Sequence, residues 1–216
     1  MKVLIIGDVM GKPGRDAMKE FLDKKKNDYD FVIVNGENAA AGFGITPKIA
    51  DEFFELGVDV ITSGNHIWDK KELYSYLNEN KNILRPLNYP KGVPGFGYTI
   101  KENGKGDKIA VINIQGRVFM PEVDSPFQRI EEAIEEIKKE TKNIIVDFHA
   151  EATSEKLAMG WYLDGRVSAV YGTHTHVQTA DERILEKGTG FINDVGMTGS
   201  HDSIIGMTIE TVLPKF

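Results

Sequence analysis

The chain contains no cysteine. That excludes disulfides, cysteine-ligated zinc and iron–sulfur clusters, and it fits a reducing cytoplasm. No stretch of about 18 consecutive apolar residues occurs, so no membrane-spanning helix is predicted. The apolar start Val3-Leu4-Ile5-Ile6 is too short for a signal-peptide core and stops at Gly7-Asp8, so it reads as a first buried strand. Basic charge is in deficit: 26 Lys and Arg stand against 33 Asp and Glu, a net charge of −7. Such a chain offers no broad surface for long duplex DNA. It still suits a small anion held through bound cations, whose charge dominates locally. Internal repeats and low-complexity tracts are also missing. With 41% hydrophobic and 27% charged residues over 216 positions, the composition is that of an ordered chain with one substantial core, read as a single domain over 1–216.

What is present is an alternation of strand and helix signals. Residues 2–6 read as an apolar run, as in a strand covered on both faces, and 31–34 and 58–61 as the second and third strands. A helix over about 15–26 places Ala17, Met18, Phe21 and Leu22 on one face. Thr46-Pro47 opens a second helix, with the hydroxyl as cap and proline in the first turn, and Gly57 ends it. Asp69 with Glu72 has the form of a capping pair for a helix over about 70–79. A hairpin around Asn103-Gly104 leads into a strand at 109–114. Ser125, Pro126 and Gln128 cap a helix carrying Ile130, Ala133, Ile134 and Ile137, whose charged run from Glu131 to Lys142 is a solvated face. A strand at 144–148, a helix over about 153–163 and a strand at 167–171 follow, then short strands and turns over 189–210. Successive βα units followed by hairpins predict a layered α/β fold with mixed sheets.

The polar residues that directly follow the apolar strands carry the chemistry. Asp8 follows the first strand, Glu37 and Asn38 the second, Asn65 and His66 the third. Each step is roughly 30 residues, one βαβ unit. The carboxyl ends of parallel strands lie side by side, where ligands bind in open α/β folds. Of the five histidines, His66, His149, His174 and His176 sit at or just after strands, and His201 does not. Imidazole together with carboxylate and amide oxygens suits Fe, Mn or Zn. The ligand count is enough for two cations sharing a carboxylate.

The blocks GDVMG at 7–11, NGEN at 35–38, GNH at 64–66, His149 and GTHTH at 172–176 resemble, in content and order, the calcineurin-like metallophosphoesterases. That resemblance implies a layered α/β/β/α sandwich. Two departures stand out: Glu37 replaces the usual bridging Asp, and Met10 stands where many members carry a metal-binding His. With GFGIT at 42–46, GRVFM at 116–120 and DFHAEATSEK at 147–156, the chain resembles the bacterial 2′,3′-cyclic-nucleotide phosphodiesterases related to a Bacillus regulator of biofilm formation and motility. The likeness runs from residue 1 to about 207. It implies further strands beyond the region of Gly206, whereas this sequence ends at Phe216.

Carried over residue by residue, the resemblance implies one metal on Asp8, Glu37, Asn38 and His176 and a second on Glu37, Asn65, His149 and His174, with Glu37 bridging. Asn38 enters because Met10 removes an imidazole that a neighbouring amide oxygen can replace. His66 resembles the family's proton donor. The implied cofactors are two divalent or trivalent ions, Fe or Mn first and Zn next. The implied reaction is attack of a metal-bridging hydroxide on a small phosphate ester, a 2′,3′-cyclic nucleotide, with release of the 2′ oxygen. Phosphomonoesterase or nuclease activity at the same site, and a regulatory protein that binds metal without turnover, are the alternatives. Cytoplasmic location is expected, and homo-oligomerisation stays open. Among lesser features, Gly11, Gly14 and Arg15 read as a turn into the first helix rather than a phosphate loop. Trp68 and Phe119 are candidates for base stacking or packing, and Arg117 and Lys156 for phosphate contact.

Overall fold

Phe31–Asn35 is buried at every position, because both faces of its sheet are covered. In the computed structural model, which describes residues 1–216, this strand is the middle of a parallel three-stranded sheet. Its neighbours are β1 (Val3–Ile6) and β3 (Val60–Thr62), with β2 the strand just named. The second sheet holds six strands in the order β4-β5-β6-β7-β9-β8. These are β4 (Tyr98–Glu102), β5 (Lys108–Gln115), β6 (Ile144–His149), β7 (Ala169–Thr173), β8 (Arg183–Ile184) and β9 (Gly190–Ile192). β5, β6, β7 and β9 run parallel, and β4 and β8 close the edges antiparallel.

The two sheets face each other through Phe31, Ile33 and Val60 on one side and Ile109, Val111, Ile145 and Tyr171 on the other. Outside the first sheet, α1 (Gly11–Lys25), α2 (Pro47–Glu55) and α3 (Leu73–Glu79) bring Met18, Leu22, Ala50, Phe53, Leu73 and Leu77 onto Val32 and Val34. Outside the second, α4 (Pro126–Ile137) and α5 (Thr153–Leu163) bring Ile130, Ile134, Ile137, Met159 and Leu163 onto Ala110, Ile112, Val146 and Phe148. The order of layers is the expected α/β/β/α. Each fully buried Ile or Leu in these layers contributes roughly 1.5–3 kcal/mol. A short α6 (Ile209–Val212) follows near the end, and no helix is long and apolar enough to cross a membrane.

Several local expectations shift. The first helix starts at Gly11 rather than about 15, because Pro13 falls in the first turn, where no N–H is needed, and the Gly11 N–H is taken by the Asn38 carbonyl at 2.9 Å. Thr46 caps α2 as expected, its hydroxyl accepting the Ile49 N–H at 3.3 Å. Ser125 and Glu72, however, make no side-chain cap. The Asn103 turn does join β4 to β5, with the Asn103 N–H donating to the Asp107 carbonyl at 3.0 Å.

Candidate metal centre

In the parallel register Gln115, His149 and Thr173 lie abreast at the carboxyl ends of β5, β6 and β7. Asp8, Glu37 and Asn65 leave the ends of β1, β2 and β3 on the facing sheet. The seven residues expected to bind metal, and His66, therefore meet at one rim.

His149 Nε2 is the point of convergence. It lies 3.0 Å from Glu37 Oε1, 3.3 Å from Asn65 Oδ1 and 3.1 Å from His174 Nδ1. One donor atom each from Glu37, His149 and His174 falls within a 4.8 Å group. Donor atoms about 3.0–3.4 Å apart span a polyhedron around bonds of about 2.1 Å. A second group adjoins it: His176 Nε2 is 3.2 Å from Asn38 Oδ1 and 4.0 Å from Asp8 Oδ1.

The outward nitrogens of the three histidines are each held by oxygen. His149 Nδ1 faces Thr173 Oγ1 at 2.9 Å, and that hydroxyl donates onward to Asp147 Oδ1 at 2.7 Å. His174 Nε2 faces Glu151 Oε2 at 3.1 Å, and His176 Nδ1 donates to the Ile205 carbonyl at 2.8 Å. This arrangement aims one nitrogen of each ring inward, where it can offer a lone pair to a metal once it carries no proton. Asp8 Oδ2 accepts the His174 N–H at 3.3 Å, while buried Asp8 Oδ1 has no partner. An orphaned carboxylate oxygen beside inward imidazole nitrogens fits a cation.

The charges are strongly perturbed. Burial opposes ionisation of Asp8 and, helped by Glu37 and Asp194, raises it well above the carboxylate range, against the pull of His149. Burial opposes charge on Glu37 too, yet His149 and the His66 N–H hold it down to about 2. The same carboxylate overcomes burial at His149 and raises it to about 9. His174, buried beside that cationic ring, is lowered to about 3, and burial lowers His176. A cation bound at these atoms would compete with any proton on His149.

Backbone geometry serves the same residues. His174 and His176 both adopt positive φ, 98° and 65°. Non-glycine residues there carry strain that the surroundings must hold. The holding group is Asp194, whose Oδ2 accepts the Thr175 hydroxyl at 2.8 Å and the Thr175 N–H at 3.3 Å. Lys156 pairs with that same oxygen deep inside the protein and does not reach a substrate phosphate. Gly64 is required for closeness: a Cβ there would lie 2.1 Å from His149 Nε2 and 2.3 Å from Glu37 Oε2.

His66 sits in a 3₁₀ turn, Asn65–Trp68, with its N–H donating to Glu37 Oε2 at 3.2 Å. Its Nδ1 is 2.8 Å from Asp69 Oδ2, so Asp69 orients this ring instead of capping α3. Trp68 packs edge-on against Tyr74 and Tyr89, which removes it from base stacking, while Phe119 is 88% exposed. His201 and Arg117 are exposed. Sequence reasoning missed Asp69, Glu151, Thr173 and Asp194. Glu151 and Thr173 lie inside blocks already singled out and Asp69 lies three residues after GNH, but no spacing marked Asp194.

Comparison with known proteins agrees with the motifs. The family described as YmdB-like protein matches residues 4–216. A Bacillus subtilis protein named 2′,3′-cyclic-nucleotide 2′-phosphodiesterase is 57% identical over 219 residues, covering 100% of this chain and 82% of that protein. A Thermus thermophilus crystal structure superposes with a TM-score of 0.95 at 48% identity, covering 100% of this chain and 84% of that one. A structure described as a novel phosphatase, from Mycoplasma pneumoniae, gives a TM-score of 0.89 at 40% identity, covering 98% and 77%. At this identity over nearly the whole length, the chain belongs to the YmdB-like family of metallophosphoesterase fold.

Proposed function

We propose that this protein is a dinuclear metallophosphodiesterase that opens 2′,3′-cyclic nucleotides. The observation that carries the reading is the convergence of Glu37, Asn65, His149 and His174 on one point, beside the second group Asp8, Asn38 and His176. The similarity to the Bacillus subtilis phosphodiesterase supports the substrate class. Asp8, Asn38 and His176 would hold one cation, and Asn65, His149 and His174 the other, with Glu37 between them. Fe or Mn suits the mixture of oxygen and imidazole ligands, with Zn next. When bound, such a pair neutralises the non-bridging phosphate oxygens and supplies an activated water.

The protein's own part is positioning and proton transfer. His66 is tied through its backbone to Glu37 and through Nδ1 to Asp69, which leaves Nε2 to protonate the departing ribose oxygen. A 3′-nucleotide results when that oxygen is O2′.

A metal-by-substrate screen tests this reading. Protein loaded in turn with Mn, Fe and Zn is offered 2′,3′-cyclic nucleotides, a nitrophenyl monoester and single-stranded RNA. Turnover of the cyclic diesters above the others is expected. Monoester turnover alone would make it a phosphatase, and none on any ester would leave a regulatory metal-binding protein.

A further inference from the structure

The cavity of about 400 Å³ that His66, His174 and His176 line is also lined by Phe43, Ile205 and Met207. We propose that these three side chains receive the nucleobase of the substrate, with Phe43 as its stacking face. The inference rests on the diesterase reading above and adds the subsite that holds the other end of the nucleotide.

Phe43 is 46% exposed and Ile205 is 53% exposed. Large apolar groups left open in one cavity with a polar catalytic floor mark the place for the organic part of a ligand. Phe43 is the only Phe, Tyr or Trp in that lining. Its ring meets His66 edge-on, with centroids 5.1 Å apart. A base on Phe43 would therefore continue directly from a ribose oxygen at His66.

The wall is built to stay in place. The Phe43 loop is closed by backbone hydrogen bonds, Gly42 N–H to the Asn38 carbonyl at 3.0 Å and Ala40 N–H to the Gly44 carbonyl at 2.9 Å. Ile205 has φ 48°, a strained value for a β-branched residue, in the very turn whose carbonyl fixes His176. Buried Met10 fastens the two segments: a Cβ on Gly42 would lie 2.9 Å from its Cε, and one on Gly206 2.3 Å from its Cγ. The segments that carry Phe43 and Ile205 are thus pinned to the same side chain. Preorganisation of this kind lowers the cost of ordering a ligand. An apolar, aromatic wall reads the π-face common to all bases, so adenine and uracil should both be accepted.

Two measurements on the metal-loaded full chain test the proposal. The first compares adenosine and uridine 2′,3′-cyclic phosphates with methyl riboside 2,3-cyclic phosphate, which lacks the base. The wild type should favour the base-bearing esters by about 5- to 150-fold in kcat/KM, the range of one base–aromatic stack. Phe43→Ala should remove most of that preference, chiefly through KM. The second measurement uses Phe43→Trp. Adenosine 3′-monophosphate should quench its added fluorescence, and inorganic phosphate should not. Equal wild-type rates with and without a base, or equal losses on both in Phe43→Ala, would overturn the assignment. Should no cyclic ester be turned over, the diesterase reading fails and the fluorescence arm decides alone: quenching by the nucleotide sustains the wall, and its absence removes it.

Discussion

Lys156 Nζ lies 2.6 Å from Asp194 Oδ2, and both side chains are 2% exposed. The pair sits behind Thr175, between the two histidines of the GTHTH block. Lys156→Met leaves a buried carboxylate without its counter-charge and should cost about 3–5 kcal/mol. The double variant Lys156→Met with Asp194→Asn should recover part of that stability. It should not recover Mn affinity, because the amide replaces the charged anchor of the Thr175 loop. Thermal melts and Mn titrations separate the two effects, and full recovery of both would reduce the pair to a stability element.

The division of ligands predicts asymmetric metal loss. Asn65→Ala and His149→Ala should weaken one bound ion more than the other, and Asp8→Ala and His176→Ala the reverse. Metal analysis with Mn EPR reads occupancy and spin coupling. Equal loss of both ions in all four variants would leave the split without support.

Gly64→Ala should abolish metal binding while the chain still folds. Its methyl would fall 2.1 Å from His149 Nε2 and 2.3 Å from Glu37 Oε2, on the donor atoms themselves. Circular dichroism close to wild type, together with metal content near zero, is the expected result. Retained metal would mean that the Gly64 turn can shift.

His66→Ala should keep both metals and lose roughly 10²- to 10⁴-fold on an alkoxide leaving group. A nitrophenyl diester, whose leaving group needs little protonation, should suffer far less. Asp69→Asn should follow the same substrate pattern with a smaller loss, since Asp69 acts only through His66 Nδ1. Equal losses on the two substrates would remove His66 from the acid role.

Away from the site, Glu131 is held down to about 2 by Arg166, at 2.6 Å, and by the Tyr162 hydroxyl. A carboxylate depressed in the folded state stabilises above its unfolded value and loses that effect as pH falls. The stability gap between wild type and Glu131→Gln should therefore be present at pH 7 and close between about pH 4.5 and 2. Its size should be about 1 kcal/mol or less, because solvent screens the pair. A gap that persists at pH 2 would point to packing instead.

Apolar runs and their spacing located the strands that carry the site, though not the edge strand Arg183–Ile184, and the residues after them named the rim: Asp8, Glu37, Asn65 and His149 were legible because a strand end is a local event in sequence. The α/β/β/α layering was read from the resemblance, and three apolar clusters then confirmed it. The errors were also local in kind. Asp69 and Ser125 have the composition of helix caps, and Lys156 that of a phosphate contact. Composition cannot say which partner a polar group will meet. Asp69 meets His66, three residues earlier, while Lys156 meets Asp194 through a contact 38 residues long in sequence. The order of residues was enough to say which donor atoms exist and that strand ends would gather them. Packing of the folded chain sets which nitrogen of each histidine faces inward, that buried Asp194 holds the strained histidine loop, and that Phe43 and Ile205 share a cavity. Those outcomes depend on distances between segments far apart in the chain, set by how the two sheets pack rather than by any local pattern.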